Sequence, residues 1–386
     1  MTAYNKTAFY NLFVQQQVSN TFDDNIITNE EKENIYLKYP VSFYSPNFFI
    51  RVGLFVLTVI ILLFSFGLLS LMFLNNIDKS IGALAIIFSL LAFAALEIMV
   101  LKKKHYRSGV DDALLWLGAG SLLGGLSYAT GAGALVNCII IFIIALFCTL
   151  RFADRLMAAA VFFSVVGIFF YGCTNAGSAG KAIVPFVIMG ISAIIYFAIK
   201  KLNGPQQFSH YAACIYAVEI LALIIFYVAG NYFVVRELSN SMFNLNLQPG
   251  QSIPFGWLFW IFTIVIPIIY LLRGVQKKDL VLIRVGLLLV AAMVFTIRYY
   301  HFIVPLETAM SIGGIALVSI AWAITRYLHT PKNSFTSAEL KSTSGLDNLH
   351  IESLILAETF TQQSTDAGGN KFGGGSFGGG GASGDF

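Results

Sequence analysis

The sequence predicts an all-α polytopic transmembrane bundle of about ten spans with both termini in the cytoplasm. Three observations predict it. Of the 386 residues, 57% are hydrophobic and only 11% charged, with a mean hydropathy of +0.76. A soluble domain carries about 25% charged residues, so this chain could not cover its own surface in water. The apolar residues are gathered into runs close to the ~20 residues that carry a helix across a hydrocarbon core. Basic clusters then recur after every second run, beginning with Lys102, Lys103, Lys104 and Arg107.

Residues 1–47 are polar and acidic. They lack the basic start and short apolar stretch of a signal peptide, so the first span is expected to act as an uncleaved insertion signal. Phe9, Tyr10, Phe13, Val14 and Val18 fall at helical spacing within 5–22. Thr28 followed by Glu31 is a capping box, in which each residue satisfies an orphan backbone donor of the other. A second short helix should therefore run to about Lys38 and stop before Pro40. Two such helices are too small to hold a core of their own, so the module should dock on the membrane domain or on a partner.

Ten stretches qualify as spans: 50–74, 81–101, 112–130, 132–150, 156–172, 182–199, 211–235, 255–272, 280–297 and 304–325. The runs are continuous rather than alternating, which selects helices over barrel strands. Only Thr130 and Gly131 separate the third from the fourth, so a single re-entrant unit there would lower the count. The third run carries Gly118, Gly120, Gly124 and Gly125, and the GxxxG spacing from Gly120 to Gly124 reads as a close helix-packing face. Pro267 falls mid-span in the eighth run and Pro185 near the outer end of the sixth, and each bends its helix by removing a backbone donor.

Positive charge sets orientation. With the N-terminus inside, the inner flanks receive Arg51; Lys102, Lys103, Lys104 and Arg107; Arg151 and Arg155; Lys200 and Lys201; Arg273, Lys277 and Lys278; Arg326 and Lys332. The outer flanks receive Lys79, Lys181, Arg236 and Arg298, a tally of fourteen against four that favours an even span count. The stretch from Asn231 to Pro254 is the largest outer connection, and Tyr232, Phe233, Trp257 and Trp260 at its ends read as an aromatic interface belt.

After the last span, 327–361 reads as a polar linker and a short amphipathic helix marked by Leu346, Leu349, Leu354, Ile355 and Phe360. Residues 362–386 are Gly/Phe-rich and too flexible to fold alone. They are either a plain tail or a linear motif, in which Phe372, Phe377 and Phe386 are apolar stickers for a partner's groove or sheet edge.

Two resemblances attach to these ends. The segment NIITNEEKENIYLKYP at 25–40, followed by the first span, resembles the start of a bacterial membrane-protein family known as domain of unknown function 2157. Thr296-Ile-Arg-Tyr-Tyr300, a Gly-containing final span and the basic exit at Arg326 resemble that family's end. The tail from Lys371 to Phe386 is similar to the FGGGxFGGGGASG endings of some TPM-domain and other bacterial membrane proteins, although this chain contains no TPM domain. The resemblances imply a bacterial membrane protein and supply no activity.

Charges inside the spans are the candidate functional residues, because each costs several kcal/mol in hydrocarbon. Glu97 lies one turn from the basic patch at Lys102 to Lys104 and is explained by snorkelling towards it. Asp112 and Arg284 sit similarly near the inner edge. At the outer side Arg298, Tyr299, Tyr300, His301 and Glu307 gather around a turn that Arg298 and Glu307 could bridge. Glu219 lies about eight residues into its run, roughly 12 Å deep at 1.5 Å per residue. A carboxyl group there must be protonated or paired, and Arg284 is the candidate partner. Glu219 is either one half of an interhelical pair or a proton or cation relay.

Cys138, Cys148, Cys173 and Cys214 form no CxxC or Cys/His cluster, so they read as packing residues, with Cys173 near a span end open to reaction. No metal or cofactor is expected. There is no HExxH, GxSxG or Walker loop, which disfavours an enzyme. The net charge of +4 reflects loop lysines and arginines, not a nucleic-acid-binding face. Two functions remain: a scaffold or accessory subunit acting through its soluble ends, and a proton-coupled transporter of a small solute built on Glu219.

Overall fold

The computed structural model describes residues 3–4, 6–23, 26–71, 77–202, 210–243, 253, 255–300 and positions 311, 314, 315, 318, 319, 322 and 326. Within these the chain is an all-α polytopic bundle. Its helices are α1 (Lys6–Asp23), α2 (Asn29–Lys38), α3 (Phe48–Leu71), α4 (Ile77–Leu101), α5 (Val110–Thr130) and α6 (Ala134–Phe152). They continue with α7 (Arg155–Asn175), α8 (Ser178–Leu202), α9 (Ala212–Gly230), α10 (Tyr232–Phe243), α11 (Gly256–Lys277) and α12 (Leu280–Tyr300). Nine of the described helices, all but α1, α2 and α10, are long and apolar enough to cross a bilayer. Most of the tenth predicted stretch, the linker and the tail with Phe372, Phe377 and Phe386 lie outside the described residues.

The N-terminal module forms as its sequence dictates. The Thr28 backbone N–H donates to Glu31 Oε2 at 2.8 Å and the Glu31 N–H donates to Thr28 Oγ1 at 3.3 Å, closing the capping box. These bonds to the charged form hold the Glu31 carboxyl below the usual carboxylate range. Asn11 Nδ2 and Gln15 Nε2 donate to the carbonyls of Pro40 and Tyr39, both at 2.8 Å, tying α1 to the end of α2. The module docks on the bundle. The Ala3 N–H donates to the Arg151 carbonyl at 2.9 Å. Tyr4, only 7% exposed, packs edge-on against Phe9, Phe43 and Tyr106 with ring centroids 5.2–5.9 Å apart. Each buried aromatic ring of this kind stabilises by roughly 1.5–3 kcal/mol, enough to seat a module that has no core of its own.

Consecutive helices pack as hairpins: α4 with α5, α6 with α7, α8 with α9 and α11 with α12. One core joins α8, α9, α11 and α12 through Val184, Leu223, Tyr227, Ile266 and Leu289. Another joins α4, α5 and α6 to the N-terminal segment through Leu96, Leu114, Cys148 and Tyr4. Helix α3 has no buried residue and turns Phe49, Leu57, Phe64 and Leu68 outward, as a lipid-facing span does.

One open alternative closes and two sequence expectations change. The third and fourth stretches are separate, full-length helices, joined at Gly131, whose φ of 57° suits glycine, and not a re-entrant unit. The GxxxG pair is not the packing face: a Cβ at Gly120 or Gly124 would meet open space. Close packing falls instead on Gly125, where a Cβ would lie 2.7 Å from the Gly82 carbonyl oxygen, and on Gly118, 3.4 Å from Ala92 Cβ. Spacing of four marks a helix face, but only the neighbour α4 decides which face is used. Finally, the seventh span stops at Gly230 rather than 235. Asn231 is buried, donates to Tyr227 Oη at 2.9 Å and Thr296 Oγ1 at 3.0 Å, and accepts the Phe233 N–H at 2.9 Å. It thereby caps α10, which begins where apolar Tyr232–Val235 had read as more span.

Candidate functional site

The starts of α3, α5, α7, α9 and α12 and the ends of α4, α6, α8 and α11 meet at one end of the bundle. The basic residues of the predicted inner flanks from Arg51 to Lys278 all lie there. This basic end holds the charged side chains that bear on function.

Glu219, 1% exposed, accepts a hydrogen bond from Lys200 Nζ at 2.8 Å. The same ammonium reaches Asp279 Oδ2 at 2.5 Å, giving a chain Glu219–Lys200–Asp279 from the bundle interior to the rim. Asp279 also caps α12, accepting the Val281 N–H at 3.0 Å. The sequence placed Arg284 as partner; the cation at Glu219 is Lys200. Because α8 and α9 form a hairpin, the last turn of α8 lies beside the early turns of α9, and a four-carbon stem spans the rest. In the sequence Lys200 stands out only as a marker of orientation.

Glu97 is corrected in the same way. Arg151 donates to it through Nε at 2.8 Å and a terminal nitrogen at 3.0 Å, a fork between α4 and α6 that replaces the expected snorkelling to Lys102–Lys104.

At the opposite end, Tyr299 stands edge-on to Phe233 with centroids 4.8 Å apart. Tyr300 donates to Glu237 Oε1 at 3.2 Å beneath the Arg236 guanidinium, which lies 5.0 Å from its ring. Arg298 lies in the last turn of α12, while His301 and Glu307 lie outside the described residues, as does any Arg298–Glu307 pair.

The sequence missed a cavity of about 270 Å³ at the basic end. Arg51, Arg107, Arg155, Asp111, Asp112 and Asp154 line it, with Tyr4, Tyr106, Trp116 and Phe152 among its walls. Asp111 organises the loop before α5. Its Oδ2 accepts the Arg107 backbone N–H at 2.7 Å, and its Oδ1 accepts the Ser108 N–H and hydroxyl at 2.8 and 2.9 Å. Arg107 has φ 50° and Gly109 φ 91°. A Cβ at Gly109 would collide with the Arg51 carbonyl oxygen, so glycine is required there. Left-handed backbone at a residue such as Arg107 costs about 1–2 kcal/mol, and here the three bonds to Asp111 hold it.

Asp112 takes two hydrogen bonds from Arg51, Nε at 3.2 Å and a terminal nitrogen at 2.5 Å. Asp154 caps α7, accepting the Met157 N–H at 2.9 Å, and also accepts Trp116 Nε1 at 3.2 Å. Burial pushes the Tyr4 and Tyr106 phenols above their ordinary range, so both remain neutral hydroxyls beside this polar floor. Neither Glu219, Lys200 nor Asp279 lines the cavity. The signal that could have found it was the doublet Asp111-Asp112 and the Asp154-Arg155 pair, each opening a span beside a basic cluster. Comparison with protein-family profiles, curated proteins and solved structures gives no match for this chain.

Proposed function

We propose that this multi-pass membrane protein is a non-catalytic scaffold or accessory subunit of a bacterial inner membrane, with both termini cytoplasmic, that engages a partner through its soluble ends. The observation that carries this reading is the two-sided N-terminal module. One side is spent on the bundle through Tyr4 and Phe9, while Tyr10, Phe13, Ile26 and Leu37 stay 50–80% exposed. The distribution of lysine and arginine supports the sidedness. The likeness of residues 25–40 and of the tail to bacterial membrane families supports the setting. The tail residues Phe372, Phe377 and Phe386 enter by sequence alone. The test is a crosslinked pull-down comparing the full chain with a 362–386 deletion and with Phe13→Ser/Leu37→Ser. Loss of a partner from either variant is expected, and identical partner sets would overturn the reading.

A second reading, a proton-coupled transporter of a small solute, is favoured by the Glu219–Lys200–Asp279 chain linking a buried carboxyl group to the rim. Glu219→Gln in proteoliposomes decides it: pH-dependent uptake that survives the substitution removes the relay.

A further inference from the structure

The acceptors of the basic-end cavity are already engaged, but two of its strongest donors are not. Asp111 is bound by two backbone N–H groups and a hydroxyl, Asp154 by an indole and a backbone N–H, and Asp112 by Arg51. Among the described residues no carboxylate lies within ion-pair distance of Arg107 or Arg155. Arg107 rests its guanidinium 5.2 Å from the Tyr106 ring, a contact that leaves the N–H fork available in its own plane. The positive fields of Arg107 and Arg51 both act on Arg155. Asp111, Asp112 and Asp154 line the same cavity, but none is paired with Arg107 or Arg155, so these two cations are the ones left to take an incoming anion.

We propose that this cavity binds a phosphoryl group through Arg107 and Arg155, carried by an organic phosphate ester whose remaining part lies against Trp116, Phe152 and Leu115. A phosphoryl group matches Arg geometry bidentately, and the three non-ester oxygens and second charge of a monoester use two guanidinium forks more fully than the two oxygens of a carboxylate or a diester. At about 270 Å³ the space is larger than bare phosphate needs, and its apolar walls suit the organic part of an ester. Arg155 opens one membrane-spanning helix and Arg107 lies just before another, which sets both at the depth of lipid headgroups. The ester is therefore either an anionic phospholipid headgroup or a soluble phosphate ester of the same chemistry. The site is independent of the partner role assigned to the soluble ends.

The experiment uses the full-length protein in neutral-lipid nanodiscs. The probes are dihexanoyl phosphatidylglycerol, sn-glycerol 3-phosphate, hexanoate and dihexanoyl glycerol, read by thermal shift and by titration. A phosphate-bearing probe should raise the melting temperature, and the two neutral or carboxylate probes should not. Binding of the lipid alone assigns the site to a headgroup; binding of both phosphates assigns it to a soluble ester. Arg107→Gln/Arg155→Gln should weaken binding at least tenfold, while Lys102→Gln/Lys103→Gln, at exposed residues of the same end, should not. Should the glutamine pair fail to fold, Arg107→Lys/Arg155→Lys keeps the charge and removes the forks, and weakened binding is again expected. The proposal is overturned if neither phosphate binds, if hexanoate binds as well, if both glutamine pairs weaken binding equally, or if the lysine pair binds unchanged.

Discussion

At the scale of single residues, the energetic weight of the interior rests on cations that composition counts as rim charges. Lys200 serves two carboxylates, and only one of them, Glu219, is fully buried. Lys200→Met leaves that carboxylate without its ammonium. Removing one partner of a buried pair costs about 3–5 kcal/mol, and the lower end applies because the Lys200 side chain is itself 39% exposed. Unfolding in mixed detergent–dodecyl sulfate micelles measures it. Lys200→Met/Glu219→Gln should recover most of the loss, because the double change removes the charge along with its partner. Equal losses in single and double variants would show that the pair is not the energetic unit. The depth of Glu219 was legible from position alone. Its partner was not, because Lys200 and Arg284 are both one stem-length away in sequence terms, and the hairpin of α8 and α9 makes the choice.

At the scale of elements, helix existence followed from run length and capping chemistry, as at Thr28–Glu31, but helix faces and breaks did not. Hydropathy reports that a residue is apolar, not which neighbour it meets. The α4–α5 contact supplies a direct comparison. Gly125→Ala pushes a Cβ against backbone of α4, with Ile86 N at 3.1 Å as well as the Gly82 carbonyl, so the helices must separate. Overpacking of this kind typically costs 1–3 kcal/mol. Gly124→Ala, one residue away with nothing within 4 Å, should be neutral or stabilising by up to about 1 kcal/mol through helix propensity. If the GxxxG pair were the packing face, the order of the two melting temperatures would reverse. Asn231 is the second case. Asn231→Ala removes the α10 cap, worth roughly 0.5–2 kcal/mol, and the partner of the buried Thr296 hydroxyl. Destabilisation should exceed that of a cap alone, and Thr296→Val in the same background should add little because the contacts between the two side chains are already lost.

At the scale of the whole molecule, the all-α bundle was legible because bilayer insertion is governed by long apolar runs, a signal that survives without knowledge of contacts. The basic-end cavity was not legible. Its lining converges from residues 51, 107–112 and 154–155 and from Tyr4 of the docked N-terminal segment, and no periodicity links positions so far apart. The same convergence makes sidedness a property of the assembly. Lys103 and the cavity share one end of the bundle, whereas Ala134, at the start of α6, is at the other. In a background with Cys138, Cys148, Cys173 and Cys214 replaced by alanine, a single cysteine at exposed Lys103 should resist a membrane-impermeant maleimide in intact spheroplasts and react after lysis. A cysteine at exposed Ala134 should react in both. The reverse pattern would turn the molecule over and move the cavity to the outer surface, where the fourteen-to-four charge asymmetry would have failed as an orientation signal. Labelling of both positions from the same side would instead contradict the passage of α5 through the membrane, and with it the separation of the third and fourth spans.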